Sequence, residues 1–400
     1  MFFVRLIFTA TGVALVLAGV LVGWALLLGA AQESELLAFQ SMRDGNPEIY
    51  LLDTDRNIQE NLTRNPHIDT DPVWSPDGTR LAFTTGRDGA REILVVDIGG
   101  RNLVNISRSP GYDWSPVWSP DSSKLAYISW RDGNNEIYVA DAAGEQLYNV
   151  SASPADDGTP SWSPDSTRIA FRSQRNGNGE IYIVNADGSG LVNLTNHPDE
   201  DESPVWSPDG LHLAFVSRRA EPGLERFEPL PNFFLRDVFV ADVVSGSIRN
   251  ISRHSLDDWQ PMWSPDGQYL AFLSTRTGLR KAYITDIHGE TLSRLSYNPY
   301  TSETMIWSPD SQHLVYVEYH LDGSEVYLAN IAGESFQRLG RDYRVDDAPL
   351  VWSPGGDRLA LVSWRDSNRE IYLLNVTDGQ TWNVTNSPNS DSSPVWRPAG

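Results

Sequence analysis

The chain has 400 residues, with 31 basic against 53 acidic side chains and a formal net charge of -22. Such a surface repels phosphate backbones, which excludes a nucleic-acid partner. The absence of cysteine excludes disulfides, thiolate metal sites and thiol nucleophiles, and leaves the redox compartment open.

The first predicted element is a hydrophobic helix. Residues 1–5 form a short tip ending in Arg5, and from residue 6 to residue 31 no charged side chain occurs. That run exceeds the roughly 20 residues needed to cross a hydrocarbon core. Arg5 precedes it and Glu33 and Glu35 follow, so the tip is expected in the cytoplasm and the remainder outside. A cleaved signal peptide is the rival reading, with Gly29 and Ala31 as the small residues before the cut, although a signal core is usually shorter. Both readings export residues 32 onward. The expected location is the cell membrane, single-pass, with the folded part extracytoplasmic, or periplasmic or secreted if the segment is removed. Without a lipobox cysteine, no lipid attachment is expected.

From residue 36 onward one unit repeats. Trp-Ser-Pro-Asp begins at Trp74, Trp118, Trp162, Trp206, Trp263 and Trp307, with degenerate copies at Trp352 and Trp396. The spacing is 44 or 45 residues except for one gap of 57, a period that points to propeller blades of four strands each. Within a unit, Pro-Val-Trp, Leu-Ala-Phe, Glu-Ile-Tyr-Val and Asn-Leu-Thr mark strands a to d, and Ser-Pro-Asp-Gly is the a–b hairpin turn. Strands apolar on both sides, such as Ile181-Tyr182-Ile183, suit a blade sandwiched between two others. Residues 36–63 supply strands b, c and d without a, whereas residues 391–396 supply a lone strand a. The two fragments complete one blade. An all-β, eight-bladed β-propeller follows, its first and last strands paired so that no edge is left open.

These motifs resemble the WD-like repeats of the TolB propeller family over residues 36–400. The resemblance implies a recognition or gating module, as do the similar propellers fused to prolyl-oligopeptidase-type hydrolases. The chain departs from TolB in having eight blades rather than six and no mixed α/β domain ahead of them. No Gly-x-Ser-x-Gly nucleophile elbow occurs in it.

Candidate residues gather at the end where the d–a and b–c loops meet. Five residues before each repeat tryptophan stands Asp69, Asp113, Asp157, Asp201, Asp258, Asp347 or Asp391, and thirteen after it Arg87, Arg131, Arg175, Arg219, Arg276 or Arg365, with Arg43 in the shared blade. The unit of Trp307 loses both together, to Ser302 and His320. Joint loss predicts an ion pair within each blade, of the modest value of surface pairs; a ring of acids binding a cation is the alternative. The long gap puts Phe227, Phe233 and Phe234 into one b–c loop. Trp114 and Trp259 in d–a loops, and Trp130, Tyr319 and Trp364 in b–c loops, complete an aromatic recognition face, or else merely cover the blade tops.

Asn-x-Ser/Thr at Asn61, Asn105, Asn149, Asn193, Asn250 and Asn383 keeps the repeat phase, so a turn-forming role is expected rather than glycosylation. No His-x-His or His-Glu-x-x-His ligand set occurs, and neither metal nor cofactor is expected. The expected function is a membrane-anchored, non-catalytic scaffold that binds a protein or peptide on its loop-rich face. A glycan-binding or glycan-processing propeller, with tryptophans as sugar platforms and carboxylates as acid and base, is the alternative.

Overall fold

The Ser-Pro-Asp turn shows how the sequence forces the hairpin. Ser119 Oγ donates to Asp121 Oδ1 at 2.6 Å and accepts from Lys124 N at 2.9 Å, so one hydroxyl ties both ends of the turn. The residue after the aspartate adopts a left-handed conformation, which glycine supplies at Gly78 (φ +66°) and Gly210 (φ +70°). Short apolar strands on either side then have no choice but to pair antiparallel.

In a computed structural model, residues 35–219, 235–254, 256–321, 323–332, 335–340, 345 and 350–399 are described. They form eight four-stranded antiparallel sheets. Blade 1 consists of Asp69–Trp74, Arg80–Thr85, Glu92–Asp97 and Val104–Asn105, and blades 2 to 7 follow in chain order, carrying Trp118 to Trp352. Blade 8 takes its strands b, c and d from Leu36–Ser41, Glu48–Asp53 and Ile58–Asn61, and its strand a from Asp391–Trp396. Leu37 lies opposite Trp396 and Ser41 opposite Asp391, so the first and last strands close the ring as the repeat count requires. The expected cytoplasmic tip and hydrophobic helix lie outside the described residues, and no described helix is long and apolar enough to cross a membrane.

The a strands of neighbouring blades touch and make the inner ring. In blades 1 to 5 and 8 strand a is bulged two to three residues before its tryptophan, which turns Ser115 and its equivalents to a positive φ. Between blades lie eight apolar clusters, for example Ala126, Ile137, Val139, Trp162, Ile169 and Phe171 between blades 2 and 3. The tryptophans also couple blade to blade: Trp118 Nε1 donates to the Val73 carbonyl at 3.1 Å, Trp162 to Val117 at 3.0 Å, and Trp74 to Val395 at 3.0 Å across the closure. Trp352 alone among the described repeat indoles lacks such an acceptor.

Two loop-bearing ends result. The a–b and c–d turns form one, the turn end. The d–a and b–c loops form the other, the mouth.

Candidate binding face at the mouth of the ring

At the mouth, five of the eight blades are braced by a repeated cluster. In blade 2, Arg131 Nε donates to Ser129 Oγ at 2.8 Å, its guanidinium lies 4.2 Å from the Tyr138 ring, and its Nη2 stands 3.4 Å from Asp113 Oδ1. The same arrangement joins Arg175 to Asp157 at 3.5 Å, Arg219 to Asp201 at 2.7 Å and Arg276 to Asp258 at 3.1 Å. In blade 8, Arg43 reaches Asp391 at 3.0 Å and so links the two chain termini. Those five aspartates are wholly buried. The surface-pair energy expected from sequence is therefore corrected: removing the arginine would strand a buried carboxylate, a cost of about 3–5 kcal/mol rather than a fraction of one.

Blade 1 departs from this arrangement. No ion pair joins Asp69 to Arg87 among the described residues: Asp69 accepts from Thr85 Oγ1 at 2.5 Å and from Asn65 Nδ2 at 2.6 Å. Thr85 replaces the serine that accepts the arginine Nε–H in the five braced blades, and residues Arg87–Gly89 wind into a single 3-10 turn. Arg365 of blade 7 lies over the Tyr372 ring at 4.3 Å, and its expected partner Asp347 lies outside the described residues.

Burial dominates the acids of the brace. It raises Asp157 to about 6, with the Ser173 and Ser151 hydroxyls and then Arg175 offsetting only part of the effect. It likewise raises Asp113, Asp201, Asp258 and Asp391. Among the described residues no three His, Asp or Glu side chains converge to hold a metal.

A second repeated device caps the loops. Asn134 donates its amide to the carbonyls of Ser153 and Ala155, both at 2.9 Å, as do Asn46, Asn178 and Asn368 to their own equivalents. Blade 5 has Leu279 at that place. Lys281, standing where other blades carry an acid, reaches the equivalent carbonyls of Asn298 and Tyr300 instead and pairs at 3.3 Å with the buried Glu318 of blade 6. Glu318 itself occupies the serine position of the brace. Blade 6 thus loses its aspartate and arginine because its charge has moved one strand over to meet a lysine from blade 5. Sequence reasoning saw the loss but missed the compensation, whose signal is the reversed charge at Lys281.

The aromatic positions divide. Trp114 and Trp259 belong to strands Asp113–Trp118 and Asp258–Trp263, and Tyr319 to His313–His320, which corrects their expected loop placement: the ladders extend further toward the mouth than the turn signals suggest. Strand alternation puts Tyr112, Trp114 and Trp130 on one side of blade 2, with Tyr112 at 52% and Trp130 at 48% exposure. Trp364 is also exposed, with Arg369 over its ring at 4.9 Å. Trp259, by contrast, is only partly exposed and is flanked by Arg236 at 5.5 Å and Arg280 at 5.7 Å. Phe227, Phe233 and Phe234 lie outside the described residues.

The Asn-x-Ser/Thr sites are turn formers. Asn149 Oδ1 accepts from Ala152 N at 2.8 Å, and Ser151 Oγ donates to Glu136 at 2.6 Å.

The family model for the TolB beta propeller domain matches residues 31–100, 90–223 and 301–400. The chain belongs to the TolB beta propeller domain family. No curated protein matches it in sequence. Among solved structures, this TolB-type propeller is similar to the dihydro-heme d1 dehydrogenase NirN in complex with DHE, with a TM-score of 0.62 and 15% identity over 90% of this chain and 74% of that one. It is similar to an oligogalacturonate lyase in complex with manganese, with a TM-score of 0.59 and 15% identity over 86% of this chain and 98% of that one. It also matches a prolyl endopeptidase, with a TM-score of 0.60 and 13% identity over 82% of this chain and half of the longer enzyme. At such identities the likeness is one of fold.

Proposed function

We propose that this TolB-type propeller is a membrane-anchored, extracytoplasmic scaffold that binds a protein or peptide at its mouth without chemistry of its own. The anchor rests on the uncharged run of residues 6–31. The observation that carries the binding reading is the contrast between the ends. The turn end repeats one polar hydrogen-bonded turn in blades 1 to 7, whereas the mouth varies from blade to blade and exposes Tyr112, Trp130 and Trp364. Exposed aromatics on rigid strand ends are the side chains that anchor protein partners with little loss of conformational freedom. The acids at the mouth support a non-catalytic role, since those of the brace are buried against their own arginines rather than presented to a ligand.

Site-specific photocrosslinking tests this reading. A photoreactive residue at position 130 or 364 should give discrete adducts that one at Val244, exposed on a c–d turn at the opposite end, does not. Equal labelling from both ends would refute a binding mouth.

A further inference from the structure

At the mouth, three junctions between neighbouring blades share one device. Where blade 4 meets blade 5, Asp257 stands six residues before the blade 5 tryptophan. It accepts from the Arg236 backbone N–H at 3.2 Å and from the Arg236 Nε and Nη2 at 2.8 Å each. At the same place of their blades, Asp156 accepts from the Asn135 N–H at 2.9 Å and Glu200 from the Gly179 N–H at 3.1 Å. Each of these amides directly precedes the acid that opens strand c. Where blade 1 meets blade 2 the amide is that of Arg91, and the place of the acid holds Tyr112, which brings no carboxylate. Among the described residues neither the Arg91 N–H nor its guanidinium has an acceptor. Further donors there are unmet. Thr84 stands where blade 3 has Arg172, which reaches Glu200 at 2.8 Å; it is 2% exposed and its hydroxyl has no partner. In the same b–c loop as Arg91, the Arg87 Nε is buried without an acceptor. A Cβ built at Gly179 would collide with both Arg172 and the Glu200 carboxylate, so the equivalent Thr84, Arg91 and Tyr112 are neighbours in the junction of blades 1 and 2.

We infer that this junction binds an aspartate or glutamate side chain of a peptide segment from the partner, its carboxylate taking beside Arg91 the place that Asp257 takes beside Arg236. Buried donors are costly to leave unmet, and an ionised carboxylate has lone pairs enough to accept from the Arg91 N–H, its guanidinium and the Thr84 hydroxyl together. The aromatic rings complete the site. Trp259, the equivalent of Trp114, lies 5.5 Å from Arg236, which puts Trp114 alongside Arg91 as a wall for the segment's apolar neighbours. Tyr112 and Trp130 are held together beforehand: the Trp130 N–H donates to the Tyr112 carbonyl at 2.9 Å, and Gly111 packs so closely that a Cβ would meet the Arg131 Cα at 2.9 Å. The internal acids Asp156, Glu200 and Asp257 all come from backbone just ahead of strand a, the way an extended peptide presents its own. Placing a partner at this end rests on the binding-mouth reading, whereas the unmet donors of blade 1 stand apart from it.

The experiment is calorimetric titration of the full chain with an end-blocked pentapeptide carrying a central glutamate between leucines, and with its glutamine counterpart. The glutamate peptide should bind about tenfold tighter or more. That preference should vanish in Arg91→Gln and in Tyr112→Asp, which supplies the acid from within, as Asp156 and Asp257 do at their junctions, and leaves the fold intact. Tyr112→Ser, which removes the ring without supplying an acid, should retain it. Equal binding of the two peptides, a preference that survives Tyr112→Asp, or one that Tyr112→Ser abolishes would overturn the assignment. So would tighter binding of a galacturonate oligomer, an acidic sugar, than of the glutamate peptide. Photocrosslinking from position 364 separates the two readings: adducts there without a glutamate preference leave the binding mouth standing and remove the junction, whereas a glutamate preference with equal labelling from both ends leaves the junction standing on its own.

Discussion

The two ends of the ring are built from the same residue types under opposite rules. At the turn end, aspartates lie near solvent and are held by hydrogen bonds: the Ser163 hydroxyl, then Thr167, lowers Asp165 despite some burial. Burial alone would raise Asp286, yet the Thr291 hydroxyl and the backbone N–H groups of Glu290, His288 and Thr291 outweigh it and bring it to about 2. At the mouth, the five aspartates of the brace are buried, and desolvation raises them despite an arginine alongside. The lesson is that a repeat can share its chemistry between two ends and still give them different electrostatic characters, because solvent access differs more than composition does.

The largest test of this contrast lies at its one exception. Lys281→Met should cost about 3–5 kcal/mol in chemical denaturation, because it strands the buried Glu318 and uncaps two carbonyls. The double variant Lys281→Met with Glu318→Gln should recover a good part of that loss, and failure to recover would mean the pair is not the compensation described.

A pH series separates the ends. Asp157 has a folded pKa raised above its unfolded value, so its contribution is fully present below about pH 4 and is lost as pH rises through about 6. This amounts to about 2 kcal/mol. Asp165 and Asp286 are lowered, so theirs is present above about pH 4 and is lost as pH falls through their folded values. Thermal melts should therefore show greatest stability near about pH 4, and Asp157→Asn should make the neutral limb shallower while leaving the acid limb in place. A maximum above pH 7 would contradict this account.

Smaller effects sharpen the comparison. Ser119→Ala removes a hydroxyl with two partners at the turn end and should cost about 1 kcal/mol. Trp130→Ala at the mouth should change stability by no more than about 0.5 kcal/mol while abolishing partner crosslinking from a photoreactive residue at position 364, measured on the same samples.

The architecture was legible in the sequence because its signals are repeated: the 44-residue period, the Ser-Pro-Asp turn, and a strand set missing one member at the start and supplying it at the end. The Asp to Arg register was legible for the same reason. What escaped were contacts between adjacent repeats that do not recur, such as Lys281 with Glu318 and Trp259 between Arg236 and Arg280. Periodicity averages those away, and only the departures at Lys281 and Leu279 hint at them. The aromatic positions were misassigned to loops because turn residues fix where a hairpin bends but not how far its ladder continues. The serine of the brace was overlooked because a small polar residue at a strand end looks unremarkable until its arginine folds back onto it.

The ring closure has a mechanical consequence. The strand that begins at Leu36 is hydrogen-bonded on both sides, to Glu48–Asp53 and to Asp391–Trp396, and Glu35 just ahead of it is pinned by Arg358 of blade 7. A pull on the chain at residue 35, directed along that strand, loads two ladders at once in shear, so they must break together rather than one hydrogen bond at a time.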